Sequence, residues 1–246
     1  MMFIRLMQVE LIKTKRSLAL LMMFLSPLMV LLVNLLLLLN NEGKMIEEKG
    51  WSLYWMQNYA MWGYFMMPLY LALITTLLNG VEHRSNGWRF MMSLPIKQKD
   101  LFLVKLILAW IYLIGASLVL FTAIFISIIL LESFGVNGKD IISFDVSQKL
   151  IFSCVSCVAI MTVQHIISWR WKSIVAPLGV GVVATMSIMQ FSSSEYWRFN
   201  PWTYTLMTTN SPNADIQSAA ILYSLLVSLI LAFLAMFWLG KREVSC

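Results

Sequence analysis

Six stretches of the chain are apolar for long enough to cross a lipid bilayer, and nothing else in the sequence constrains the fold as tightly. A hydrocarbon core of about 30 Å takes about 20 residues of helix at about 1.5 Å per residue. The stretches are Leu18–Leu39, Trp55–Leu78, Leu101–Leu131, Leu150–Ser168, Ser173–Phe191 and Ala219–Gly240. Ser26, Pro27 and Asn34 interrupt the first, and Pro68 falls in the middle of the second. The third is long enough for a tilted span with an extension beyond the membrane. The expected fold is therefore an all-α polytopic membrane domain covering residues 1–246.

Composition agrees. Of 246 residues, 60% are apolar and 12% charged, with mean hydropathy +0.78. Soluble domains carry about 25% charged residues, so most of this surface must face lipid rather than water. The net charge of +6 would suit nucleic acid, but its placement excludes that reading. Basic residues sit in short segments between apolar runs, where they set orientation. With the N-terminus inside, 13 basic and 4 acidic residues give the inner side +9. The remaining 5 basic and 8 acidic residues leave the outer side at −3. Both termini are thus expected in the cytoplasm.

The stretch preceding the first span does not read as a cleavable signal. Lys13, Lys15 and Arg16 precede a run long enough to span, and no small-x-small site closes it. Cys154 and Cys157 form a C-x-x-C spacing inside an apolar run, without a second pair or a nearby histidine, and read as packing residues rather than a metal or redox site. Asn34, Gln57, Asn58 and Gln164 lie at or near span depth, where amides are expected to hydrogen-bond between helices. His165, at a span end, reads as interfacial and His83, in a basic loop, as solvated.

Three peripheral segments carry more information. Residues 1–17 place Phe3, Leu6, Met7 and Glu10 near helical spacing, with Arg5, Gln8, Lys13 and Lys15 supplying polar positions. This predicts a helix lying along the inner interface, against the plainer alternative of an extension of the first span. Residues 82–100, between the second and third spans, run from Glu82 through Gly87 and the mixed segment Trp88–Ser93 to Leu94-Pro95-Ile96 and a basic stretch. Pro95 disfavours helical geometry in the residue before it, so Trp88–Ser93 is expected to be a short helix parallel to the membrane. Its apolar residues Trp88, Phe90, Met91 and Met92 need lipid or a protein groove. Residues 192–218 form the longest outer segment, neither clearly helical nor charged. Across Phe191–Trp202, at its start, Phe191, Tyr196, Trp197, Phe199 and Trp202 surround Asn200-Pro201. These aromatics read as an interfacial belt or, alternatively, as a hairpin entering the outer leaflet to engage an amphipathic substrate.

At Glu82, Gly87, Leu94-Pro95-Ile96 and Lys105 the sequence resembles the membrane subunits of ABC-2-type transporters. The resemblance extends along the chain, through the N-terminal helix, the six spans and an outer hairpin before the last. Trp88 departs from the Thr that many members place after the glycine. The resemblance implies that residues 82–100 dock a coupling helix on a separate nucleotide-binding subunit, with Glu82, Gly87, Trp88, Phe90, Met91, Leu94 and Pro95 at the contact. It also implies an ATPase dimer that binds ATP and Mg, and a second permease, identical or similar. Size and the aromatic Asn-Pro-Trp stretch are similar to the subgroup protecting Gram-positive bacteria from lantibiotics, which would place the chain in a bacterial plasma membrane.

The chain itself holds no G-x-x-x-x-G-K-[ST] motif, so no phosphate cradle is expected here. An intramembrane enzyme would need carboxylates paired within the spans, HExxH or Gly-x-Ser-x-Gly, and the sequence offers none of these. An ion-driven carrier would need charges within its spans, and Lys105, near an inner end, stands almost alone.

Overall fold

A computed structural model describes residues 2–40, 46, 49–84, 96–136, 138, 139, 141 and 144–241. Every regular element among them is helical. The order is α1 (Met2–Thr14), α2 (Leu18–Asn40), α3 (Trp51–Met61), α4 (Met67–Arg84), α5 (Gln98–Ser133), α6 (Phe144–Ser156), α7 (Val158–Arg170), α8 (Val175–Phe191), α9 (Tyr204–Asn210) and α10 (Ala214–Lys241). Five continuous helical stretches are long and apolar enough to cross a membrane: Leu18–Asn40, Trp51–His83, Gln98–Ser133, Gln148–Arg170 and Ala214–Leu239. The expected fifth span is the exception. Its helix, Val175–Phe191, has 17 residues and a length of about 25 Å, at the lower limit for a crossing.

The second stretch forms the centre of the bundle. Two-thirds of its apolar window is buried, against 17% for the first and last stretches, which line the outside. Trp51, Trp55, Trp62, Leu71, Ile74 and Leu78 from it pack against Leu108, Leu113, Leu120 and Ile124 of α5. Pro68 does not break this helix. A π turn, Trp62–Met66, joins α3 to α4 just before it and widens the backbone where the proline ring would strike the preceding turn. α8 closes on α4 through Gly181, whose position leaves no room for a Cβ beside that of Ala72. Small residues allow such approach between membrane helices.

The expected fourth span is present as Gln148–Arg170, interrupted at a single residue. Cys157 (φ −92°, ψ 0°) separates α6 from α7. The break frees the Ala159 N–H, which donates to Ser224 Oγ of α10 at 3.1 Å. A polar side chain on a neighbouring helix supplies what the interrupted ladder loses. Cys154 and Cys157 are free thiols: Cys154 Sγ donates to Ser117 Oγ at 3.4 Å and Cys157 Sγ to the Cys154 carbonyl at 3.2 Å.

Successive helices place Leu18, Arg84, Gln98, Arg170, Val175 and Lys241 at one end, here termed the basic end. At the opposite end Gly50 adopts φ +75°, and a Cβ there would lie 2.9 Å from the Lys139 carbonyl oxygen. That carbonyl accepts from Trp51 N at 3.0 Å, while Trp51 Nε1 donates to Glu132 Oε1 at 2.8 Å.

Candidate functional site

The polar centre of this apolar molecule lies at the basic end, where α1, α4 and α5 meet. α1 packs along α5 through Leu6, which clusters with Leu101 and Val104 and with Ile96 beside them. Along the same stripe, at four-residue intervals, come Glu10 and Thr14, both buried. Ile4, Val9, Leu11 and Ile12 point away. The helix therefore turns a polar-centred face inward and apolar residues outward, as an element seated in a bilayer interface would. Its exit is a sharp corner. Arg16 takes φ +92°, costly for a side chain with a Cβ, and Ser17 Oγ donates to the Thr14 carbonyl at 2.8 Å.

Four side chains close a ring. Lys105 Nζ lies 2.7 Å from Glu82 Oε2 and 3.0 Å from Glu10 Oε2, and donates to the Leu78 carbonyl at 2.7 Å. Lys13 Nζ lies 2.6 Å from Glu10 Oε1 and 3.2 Å from Glu82 Oε1. Each carboxylate thus spans both ammonium groups, one oxygen to each, and the ring is neutral. Lys105 is 1% exposed and both glutamates 2%. Its three ammonium donors meet three acceptors, which is what a buried lysine requires. Lys13 sits at the rim. Partial burial by itself lowers its pKa. The hydrogen bond and charge of Glu10, with the charge of Glu82, outweigh that and hold it above the ordinary lysine value.

A second polar group lies one turn away. His165, fully buried on α7, packs at a tilt against Phe102 with ring centroids 4.5 Å apart. Its Nε2 lies 3.2 Å from the Phe102 carbonyl, so it carries the proton there, leaving Nδ1 to accept from Asn79 Nδ2 at 3.2 Å. Asn79 Nδ2 also reaches Ser168 Oγ at 2.7 Å. His165 is a core histidine rather than an interfacial one. His83, expected in solvent, is half-buried and hydrogen-bonds the Ser168 carbonyl at 3.2 Å. Consecutive residues at the end of α4 are thereby tied in two directions: Glu82 to α1 and α5, His83 to α7.

This is the stem of the loop that runs from Glu82 to Asp100. Of the residues expected at the coupling contact, Glu82 alone lies among the described residues. Gly87, Trp88, Phe90, Met91, Leu94 and Pro95 lie outside the described residues, as does the short helix expected at Trp88–Ser93. The sequence alone does not pair Glu82 with its partners: along the chain Lys105 stands as an isolated charge and Glu10 as part of an amphipathic pattern. The available signal is chemical. A lone lysine in an apolar run demands a carboxylate, and Glu10 shares its stripe with Leu6.

The segment expected on the outer side is more ordered than its sequence suggests. Two 3₁₀ turns, Glu195–Phe199 and Pro201–Thr203, lead into α9. Asn200 accepts from Trp202 N at 3.1 Å and donates to Ser187 Oγ at 2.9 Å, clasping the segment to α8. Its aromatics divide. Trp197 packs edge-on against Tyr204 and Tyr223, and Trp202 joins the main core. Tyr196 and Phe199 stand 68% and 82% exposed, with Phe191 also at the surface.

The span-depth amides bond mainly within their own helices. Asn34 and Asn58 donate to carbonyls four residues earlier, at 3.0 and 2.9 Å, with a long contact from Asn34 to Met61 Sδ reaching across. Gln57 is exposed, and the amide of Gln164 finds no hydrogen-bond partner among the described residues.

Apolar helices of spanning length, with the buried charges gathered at the stem of a basic loop, define a multi-pass membrane protein whose polar centre ties segments together. A family model described as "ABC-2 family transporter protein" matches residues 6–188, and the chain belongs to that family. No curated protein and no solved structure matches it. It is a membrane permease subunit, of a kind that works with an ATPase subunit. The matched stretch contains all four ring residues and the loop. It ends before Phe191 and the outer aromatic segment.

Proposed function

We propose that this chain is the permease of an ABC exporter in a bacterial plasma membrane, with the basic end in the cytoplasm and α8 serving as a short sixth span. A separate ATPase dimer binds ATP and Mg and docks on residues 82–100, and a second permease completes the translocation route. The exported molecule is amphipathic, a peptide antibiotic of the lantibiotic or bacteriocin type, engaged from the outer side near Tyr196 and Phe199. The orientation is supported by the asymmetry of +9 against −3 between the two sides.

The observation that carries the coupling role is the ion-pair ring at the loop stem. A push on the loop reaches Glu82 directly, and Glu82 holds both α5, through Lys105, and α1, through Lys13. Ile96, at the loop's return, packs beside Leu6 of α1. The stem therefore moves with α1 and α5 as one body, because parting them would strand buried charges.

The test is co-purification with a cytoplasmic ATPase, followed by measurement of ATP hydrolysis and of protection against a panel of membrane-active peptides. Glu82→Gln is expected to leave hydrolysis running while protection falls. Recovery of the chain as an active protein without an ATPase would overturn the permease reading. Protection that discriminates no peptide would overturn the antibiotic assignment alone.

A further inference from the structure

Between the basic ends of α5, α7 and α10 lies a groove of about 360 Å³ that the coupling role does not use. Ile166, Leu231, Leu234 and Ala235 line its length, and Trp238 and Arg170 stand at its mouth. The remaining lining is apolar, so Arg170 is its one charge. From Leu231 to Leu239 the groove follows α10 for about 12 Å, comparable with the roughly 15 Å depth of one leaflet's hydrocarbon. On its rim Leu234 and Trp238 are both around half exposed.

The mouth is built for an anion. The Arg170 guanidinium carbon sits 5.3 Å from the Trp238 ring centroid, over the ring, a cation–π contact that uses none of its N–H donors as a hydrogen bond to an acceptor oxygen. Arg170 is exposed and forms no ion pair among the described residues. Lys172 follows two residues later, also exposed. Trp169 and Trp171 flank the arginine in sequence, the residue type that settles at headgroup depth. A second copy of this chain is a poor occupant, since its own basic end would bring further positive charge against Arg170.

We infer that this groove is a binding site for one anionic phospholipid of the adjoining leaflet, with an acyl chain along α10 and the headgroup phosphate on Arg170. Placing that leaflet on the cytoplasmic side rests on the proposed orientation. The site itself does not, and lipid retention can be measured independently of orientation and of ATPase coupling.

The full chain is purified in detergent and exposed to dioleoylphosphatidylglycerol or dioleoylphosphatidylcholine, and retained lipid is counted by native mass spectrometry. The wild type is expected to retain phosphatidylglycerol at least fivefold over phosphatidylcholine. Arg170→Gln is expected to abolish that preference while leaving phosphatidylcholine retention unchanged, and Arg170→Lys to keep part of it. Ala235→Phe, which fills the groove from its apolar wall, is expected to lower retention of both lipids, and it decides between binding and no binding if the glutamine variant does not fold. Equal retention of the two lipids by the wild type overturns the proposal. So does an unchanged preference in both Arg170→Gln and Ala235→Phe. A Trp238→Cys variant that crosslinks two chains in high yield would also overturn it, by assigning the groove to a permease partner.

Discussion

Lys105 Nζ and Glu82 Oε2 lie 2.7 Å apart at a site where the lysine is 1% and the glutamate 2% exposed. Twenty-three residues separate them, and the whole basic loop lies between. A buried charge stays favourable only while its partners stay in place, so parting the two arms of the loop stem would strand it.

Removing one partner should therefore cost far more than removing a pair. Glu82→Gln or Lys105→Met alone is expected to destabilise the chain by about 3–5 kcal/mol, since an uncompensated charge stays buried. The double variant retains the Glu10–Lys13 pair, 2.6 Å apart, and is expected to recover at least half of the loss. Thermal unfolding in detergent gives the comparison. Additive losses would show that the ring residues act independently.

Lys13 makes the ring sensitive to alkali. Its pKa in the folded chain lies above the ordinary lysine value of 10.5, so it stabilises the fold fully below that value. The contribution fades as pH rises through the raised value and the ammonium deprotonates. The stability difference between wild type and Lys13→Gln is thus expected to be flat from pH 7 to about 10 and to shrink above it. Unfolding midpoints across that range check the trend, and a difference that widens with pH would contradict it.

Ser224 repairs the broken span. Its Oγ accepts from the Ala159 N–H at 3.1 Å, just beyond the break at Cys157. Ser224→Ala leaves that donor unsatisfied in an apolar interior and is expected to cost about 1–3 kcal/mol. Ser228, whose hydroxyl pairs with Thr162 at 2.8 Å, provides the comparison. Ser228→Ala should cost less, because Thr162 keeps its bond to the Val158 carbonyl at 2.9 Å.

The outer aromatics should separate folding from function. Trp197→Ala empties a buried site against Tyr204 and Tyr223, with an expected loss of about 3–5 kcal/mol. Tyr196→Ser and Phe199→Ser remove exposed rings and should change stability by less than about 0.5 kcal/mol. If the segment engages substrate, the second pair lowers protection against peptides without lowering the amount of protein in the membrane.

Much of the fold was legible along the chain. Hydropathy located α2, α5 and α10 to within a few residues in their apolar parts, because lipid imposes a length and a composition on anything that crosses it. It failed where the backbone departs from a plain helix. The π turn at Trp62–Met66 and the break at Cys157 leave the apolar content unchanged, and composition carries no trace of them. The shortness of α8 was hidden because hydropathy measures composition and not where the helical backbone begins and ends.

The candidate site was legible in half. From the sequence came Glu82 and Lys105, flanking a loop whose order of acid, glycine, Leu-Pro and basic residues resembles a coupling element. Only the tertiary structure joined them to Glu10 and Lys13 and made His83 and His165 part of the packing beneath. Hydropathy and charge act on each segment separately, in the solvent that segment meets, and so are written locally. The ring depends on which helices lie side by side: Glu10 and Lys105 are ninety-five positions apart and become partners because α1 lies along α5.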